Sequence, residues 1–176
     1  MALGRTYFQD EMRCGTRTEA ARRWMPLGER PCCPVRIGYQ YSHLYAAICP
    51  ATGDLFALFL PHVTVECFLI FQREFHEHLD KNGSQPALLV LDRASAHRFA
   101  PHHNPQSLTR LLLPSASPEL NPVERFFKEL RKHLKCRIFH SLDEVHDRLE
   151  SVLKKYWENP NLVVSITNFP YLNTTP

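Results

Sequence analysis

The pattern of apolar and polar positions predicts strands in the first third of the chain. Aromatic and β-branched runs predict strands at residues 5–12, 39–49 and 55–60. Residues 50–53, with the sequence Pro-Ala-Thr-Gly, are typical of a hairpin turn between the second and third strands. We therefore expect three antiparallel strands at the start of the domain.

The rest of the chain alternates helical periodicity with short apolar runs. Apolar residues at helical spacing predict a helix over residues 65–79 that ends at Asn82-Gly83, and further helices over residues 122–135 and 142–157. Apolar runs at residues 87–91 and 110–113 predict buried strands. Because helices separate these later strands, they are expected to join the sheet in parallel, which gives an α/β fold with a mixed sheet flanked by helices.

Composition indicates one globular domain. The chain has 176 residues, of which 44% are hydrophobic and 22% charged, and we assign residues 1–158 to the domain and residues 159–176 to an irregular, proline-punctuated tail. Six scattered cysteines argue against a disulfide scaffold. These few cysteines favour a reducing, cytoplasmic setting. No run approaches the roughly 18 apolar residues of a membrane span, so no membrane partner is expected.

Charge is concentrated in one segment. The whole chain has a formal net charge of only +3, which excludes a histone-like binder. Residues 125–137, however, contain six basic residues and one acidic residue. The sequence therefore predicts a local basic surface.

Three carboxylates lie at predicted element boundaries. Asp10 is near the end of the first strand, beside Glu11, and alternation allows only one of these two acids to follow the apolar face. Asp92 follows a buried strand directly, at the end where parallel sheets place reacting groups. Each of the two aspartates has a plain structural alternative, as a polar strand end or a turn cap.

Glu124 belongs to a helix start, Asn121-Pro-Val-Glu, that has the features of a capping box. Capping and function are compatible, because a first-turn side chain can also reach over the end of a neighbouring strand. At about 100° per residue, a basic ridge follows Glu124 on the same side of the helix. Its members are Lys128, Arg131 and Lys135.

Three acids beside a basic ridge suit phosphodiester chemistry. Such chemistry needs an activated oxygen nucleophile and a stabilised leaving oxygen, and two divalent ions about 3.5 to 4 Å apart supply both. Hard cations such as Mg²⁺ prefer carboxylate oxygens. The basic ridge would face the phosphate backbone of the substrate.

Two long segments resemble the catalytic core of mariner-like bacterial insertion-sequence transposases, of the DDE superfamily. They are residues 88–97, LLVLDRASAH, and residues 112–131, LLPSASPELNPVERFFKELR. Shorter matches occur at residues 8–11, 24–28 and 47–53, so the resemblance covers roughly residues 5–150. The string SPELNPVE is its most specific part.

The resemblance implies a ribonuclease H-like fold and the catalytic and metal-binding acids Asp10, Asp92 and Glu124. It implies two Mg²⁺ or Mn²⁺ ions, a first nick by water at the ends of the element, and attack of the freed 3′-hydroxyl on target DNA. Double-stranded DNA is the expected partner, bound by a homo-oligomer. The candidate nucleic-acid contacts are Lys128, Arg131, Lys135, His97 and Arg93, and His97 has the alternative role of a helix-start histidine with local hydrogen bonds.

The sequence departs from the family pattern at several points. Arg93 replaces the usual Asn, so a cation adjoins Asp92, where it could compete with Mg²⁺ or contact phosphate. Ser115-Ala116 replaces the usual Pro-Tyr. Asp92 and Glu124 are 32 positions apart, a short spacing that a deletion in the loop at residues 102–105 would explain.

Only nine residues precede Asp10, so no helix-turn-helix reader of terminal repeats is expected in front of it. The leading hypothesis is a catalytic-domain fragment of a transposase, from a split or truncated gene. The alternatives are an inactive remnant that binds DNA or regulates a full-length transposase, and a ribonuclease H-like nuclease without strand transfer.

Overall fold

The computed structural model describes residues 5–21, 24–30, 32–83, 86–99 and 107–169, with only the backbone of residues 98 and 99. Within these residues the chain forms five strands and five α-helices. The strands are β1 (Thr6–Gly15), β2 (Tyr41–Ile48), β3 (Leu55–Leu60), β4 (Ala87–Leu91) and β5 (Leu108–Leu112). The helices are α1 (Val65–Lys81), α2 (Ser95–Phe99), α3 (Val123–Lys132), α4 (Leu142–Glu158) and α5 (Pro160–Thr167).

The strands form one mixed sheet in the order β3-β2-β1-β4-β5. β1, β2 and β3 pair antiparallel, whereas β4 pairs parallel to β1 and β5 parallel to β4. The hairpin turns at Gly53, which has a φ of 75° and donates its N–H to Cys49 O at 2.8 Å. The predicted sheet, three antiparallel strands with parallel additions, is confirmed.

Side-chain alternation along the strands divides the core into two layers. Phe8, Met12 and Val90 face one layer, which packs against α3, α4 and α5. Tyr7 and Leu89 face the other layer, which packs against the phenylalanines of α1. Both faces of β1 are therefore buried.

The C-terminal region departs from the prediction of an irregular tail. Residues 160–167 form α5, whose Val163 is fully buried in the first core layer. Asn159-Pro160 reads as a chain break, but proline is favoured in the first turn of a helix, where its missing N–H has no partner to lose. The prediction was wrong for these residues, while residues 170–176 lie outside the described part of the chain, as does the 102–105 loop with its expected deletion.

Helix α3 is stabilised at its start by Asn121. The Asn121 side-chain Oδ1 accepts the backbone N–H of Val123 at 3.2 Å, and its Nδ2 donates to Gln9 O on β1 at 3.0 Å. Phe126 and Phe127 bury the inner face of the helix. The helix start is thus fixed directly to the central strand.

In the described ranges, no helix has the length and apolar character needed to cross a membrane.

Candidate active site

The parallel pairing of β1 and β4 brings Asp10 and Asp92 to one face of the sheet. Phe8 is paired with Val90 in the ladder, and each acid lies two residues further along its strand direction. Because side chains two residues apart share a face, both acids follow the layer that packs against α3. β4 ends at Leu91, so Asp92 stands just beyond the sheet, as the sequence predicted.

Glu124 joins them from the first turn of α3. In a capping box its side chain would accept the N–H of Asn121, but that N–H donates to Pro118 O at 3.0 Å. The carboxylate lines a cleft together with Asp10 and Asp92. The predicted capping-box contact of Glu124 is therefore absent, although Asn121 Oδ1 does accept the N–H of Val123.

The cleft has a volume of about 400 Å³. One wall is the segment from Leu113 to Pro118, which follows β5, and Arg93 and Ala94 form the edge next to Asp92. The carboxylates of Asp10, Asp92 and Glu124 are part of its lining.

Burial makes the negative charge of Asp10 costly. It raises the pKa of Asp10 to about 7, an effect partly offset by the backbone N–H of Glu11, which donates to Oδ1 at 2.8 Å. Repulsion from the carboxylates of Glu11, Glu124 and Asp92 adds to the increase. A bound cation would relieve this cost, because it would favour the ionised form.

Asp92 is held differently, by His97. His97 Nδ1 donates to Asp92 Oδ1 at 2.6 Å, and the N–H of Ala94 donates to the same oxygen at 2.9 Å. The His97 bond lowers the pKa of Asp92, against the opposing effect of burial. Asp92 is therefore ionised at neutral pH.

His97 is a buried link between two acids. Its Nε2 donates to Glu11 Oε1 at 2.9 Å, and its side chain has no exposed surface. Burial alone would lower the pKa of His97, but the hydrogen bonds to Asp92 and Glu11 outweigh it and raise the pKa to about 9. The imidazolium can thus donate to both carboxylates, which fixes the orientation of Asp92.

Two expectations from the sequence need correction here. His97 was predicted as a nucleic-acid contact, but a fully buried side chain cannot reach DNA. Alternation was expected to place only one of Asp10 and Glu11 against the apolar core, whereas both faces of β1 are covered and Glu11 is only 8% exposed. The role of Glu11 escaped the sequence reasoning because its partner is 86 residues away.

Arg93 does not pair with the neighbouring acid. Its Nε donates to Leu113 O at 3.0 Å, across the cleft wall. The hydrogen bonds of Asp92 come instead from His97 and Ala94. The guanidinium lines the cleft, where it can contact phosphate without taking the place of a cation on Asp92.

Lys128 and Arg131 of the basic ridge lie on α3, whereas Lys135 follows three residues after the helix ends at Lys132, so the predicted helix end at residue 135 was wrong. Lys128 and Lys135 are exposed and Arg131 is half-buried. Arg131 and Lys135 line a second cavity, beyond the far end of the helix from Glu124. The ridge therefore leads away from the three acids along the protein surface.

The donor set suits a hard divalent cation, which prefers carboxylate oxygens. In the part of the chain that the structure describes, no three His, Cys, Asp or Glu side chains converge into a ready-formed metal cluster. Asp10 and Asp92 each have Oδ1 engaged by backbone or histidine donors. The other oxygens of the three acids are the candidate ligands, and Oδ2 of Asp10 also accepts a long hydrogen bond from Asn121 Nδ2 at 3.5 Å.

A mixed sheet in the order β3-β2-β1-β4-β5 has the architecture of the ribonuclease H-like fold, and Asp10, Asp92 and Glu124 line one cleft in it. Residues 5–146 match the DDE superfamily endonuclease family. The chain is also 30% identical over 127 residues to "Uncharacterized protein y4pE/y4sA" of Sinorhizobium fredii (strain NBRC 101917 / NGR234), an alignment that covers 72% of this chain and 93% of that protein. The chain therefore belongs to the DDE superfamily endonucleases.

Solved structures of the Mos1 mariner transposase have a similar fold. The paired-end complex with the left transposon end matches with a TM-score of 0.67 at 19% identity, covering 94% of this chain and 54% of that chain. The paired-end complex with Mn matches with a TM-score of 0.65 at 17% identity and the same coverage. The isolated catalytic domain matches with a TM-score of 0.53 at 13% identity, covering 94% of this chain and 79% of that chain.

The chain spans about half the length of the Mos1 chains in those complexes. The predicted family and the ribonuclease H-like fold are both confirmed.

Proposed function

We propose that this domain cleaves DNA and transfers the cut strand at the ends of a transposable element, using Mg²⁺ or Mn²⁺. The observation that carries the proposal is the register of β1 and β4, which places Asp10 and Asp92 on one face of a cleft that Glu124 also lines. Acids from three separate segments line this cleft, and burial there makes the negative charge of Asp10 costly.

Asp10, Asp92 and Glu124 would hold the metal, as two ions. Bound divalent ions lower the pKa of a coordinated water and stabilise the leaving oxygen of an in-line displacement. Asp92 supplies a permanent negative charge, because His97 stabilises its ionised form. Asp10 has a pKa of about 7, and a bound divalent cation would favour its ionised form.

The proposed reaction consists of two displacements at phosphorus. In the first, the oxygen of water bonds to the phosphorus, the bond to the 3′-oxygen breaks, and that oxygen leaves as a 3′-hydroxyl after taking a proton. In the second, this hydroxyl loses its proton and its oxygen bonds to a phosphorus of the target strand, while the bond from that phosphorus to a second 3′-oxygen breaks and the leaving oxygen takes up a proton. Arg93, at the edge of the cleft, is placed to contact the phosphate during both steps.

The relatives support the choice of DNA and metal. The Mos1 structures include a paired-end complex with a transposon end, a strand transfer complex and paired-end complexes with Mn and with Mg. We infer that the present protein likewise binds double-stranded DNA, as a homo-oligomer.

Strand transfer is tested with a labelled duplex that already carries a free 3′-hydroxyl. The chain is incubated with this duplex, a supercoiled plasmid and Mn²⁺, and the expected product is label joined covalently to plasmid. Asp92→Asn should abolish joining while leaving the protein folded. Nicked plasmid without joined label would overturn strand transfer and leave a nuclease.

A further inference from the structure

A second cavity of about 820 Å³ lies where the ends of β1 and β2 meet the C-terminal end of α3. We call it the basic groove. Four cations line it, two near the end of β1 and two at the end of the α3 ridge: Arg13, Arg17, Arg131 and Lys135. The one acid in its lining is Glu19.

The cations of the basic groove have no anionic partners of their own. In the described part of the chain, none of the four is within ion-pair distance of a carboxylate. Like charges around one cavity repel each other, and a bound anion relieves that repulsion. The groove therefore favours a ligand with several negative charges.

The walls of the basic groove are fixed by close backbone contacts. Thr16 N–H donates to Gln40 O at 3.0 Å, and a Cβ at Gly15 would collide with that same carbonyl oxygen. The guanidinium of Arg13 lies 3.8 Å above the ring of Tyr41, a cation–π contact that holds it in place. The groove is thus shaped before any ligand binds.

The α3 ridge connects the basic groove to the catalytic cleft. Glu124 lines the cleft and Arg131 lines the groove, seven residues further along the same helix. At about 1.5 Å per residue the two are separated by about 10 Å along the axis. That distance equals about three base-pair rises of 3.4 Å along the axis of a DNA duplex, and exposed Lys128 lies between them.

We propose that the basic groove binds the sugar–phosphate backbone of the DNA strand that leaves the catalytic cleft. The inference rests on the proposed function only for the direction of the strand. The binding itself follows from four cations that line one cavity without carboxylate partners among the described residues. Tyr39, which is 85% exposed at the groove rim, could stack on an unpaired base.

The test compares DNA binding by the full chain with that of two charge-matched double variants. R13Q/R17Q removes two groove cations, and K154Q/K155Q removes two exposed cations from α4. Dissociation constants for a fluorescein-labelled duplex are measured by anisotropy between about 50 and 200 mM salt. For the groove variant, the slope of log K against log salt should become shallower by about 1.8, at about 0.9 for each lost phosphate contact.

A groove variant with the same slope as the α4 variant would overturn the proposal. Lys135→Gln provides a second variant in case R13Q/R17Q misfolds, with an expected change of about 0.9. Binding of a single strand of the same length is measured as well. If an unpaired base stacks on Tyr39, Tyr39→Leu should weaken binding of the single strand and leave binding of the duplex unchanged. If the protein shows no nicking activity but its DNA binding still depends on the groove cations, the proposed function is contradicted. The proposal that the basic groove binds DNA is then still supported.

Discussion

Glu11 tests how the site is built, because it does not line the cleft and acts only through His97. His97 is hydrogen-bonded to both Glu11 and Asp92. Glu11 Oε1 accepts hydrogen bonds from His97 Nε2 at 2.9 Å and from Gln9 Nε2 at 2.7 Å. Replacement by alanine removes the acceptor for both donors at once. Replacement by glutamine keeps an acceptor oxygen and removes only the charge.

The structure gives the expected size of each effect. A buried donor left without a partner costs about 1–3 kcal/mol, so Glu11→Ala should lower the free energy of unfolding by about 2–6 kcal/mol. Glu11→Gln should cost about 2 kcal/mol, because each of the two hydrogen bonds changes from charged to neutral at a cost of about 1 kcal/mol. The exposed Glu119 is the control, since surface changes usually stay within about 0.5 kcal/mol.

Urea unfolding followed by circular dichroism measures these differences. A second readout separates positioning from stability, because the Mn²⁺ concentration for half-maximal nicking should rise about tenfold or more in folded Glu11→Gln. If Glu11→Ala is as stable as Glu119→Ala, the buried network is not as described. If Glu11→Gln has the metal dependence of the unmodified chain, Glu11 does not position Asp92.

Three further predictions concern stability. Burial would raise the pKa of Asp54, but hydrogen bonds from His78 and Tyr7 outweigh it and lower the pKa. The ionised Asp54 therefore stabilises the fold above the ordinary aspartate pKa of about 3.9, and this stabilisation is lost on acidification. The free energy of unfolding should fall more steeply below about pH 4 in the original chain than in Asp54→Asn. Asp10→Asn should stabilise the metal-free protein at about pH 8, because it removes a buried negative charge. The gain is up to about 4 kcal/mol, from about 1.4 kcal/mol for each pH unit between the ordinary pKa of 3.8 and the raised pKa of about 7. Calorimetry in EDTA should show this gain shrinking toward about pH 4. Val163→Ala should cost about 2 kcal/mol in urea unfolding if α5 belongs to the core, against little change for Leu162→Ala on its exposed side.

The sheet and the three acids could be predicted because their signals are local. An apolar run followed by Asp92 marks the end of a buried parallel strand, and the Asn121-Pro122 start of α3 places Glu124 on its first turn. Strand alternation also predicts that Asp10 shares a face with Phe8. Each of these three positions can be located from a few neighbouring residues in the sequence.

The His97 network and the basic groove could not be predicted, because each depends on distant segments. His97 reaches Glu11 only once β1 and β4 are paired and α2 follows β4. The groove needs the ends of β1 and β2 to meet the end of α3. Helix α5 was missed for a different reason, since Asn159-Pro160 marks either a break or a helix start, and only the burial of Val163 decides between them.

The central claim, that three carboxylates around one cleft act on a phosphodiester, is tested most directly by nicking of a supercoiled plasmid in Mn²⁺. The assay compares the original chain with Asp10→Asn, Asp92→Asn and Glu124→Gln, and with Glu119→Gln as a folded control. We expect the original chain and the control to nick at the same rate and each of the three variants to lose nicking. Nicking by the three variants at the rate of the control, or none by the original chain, would contradict the account.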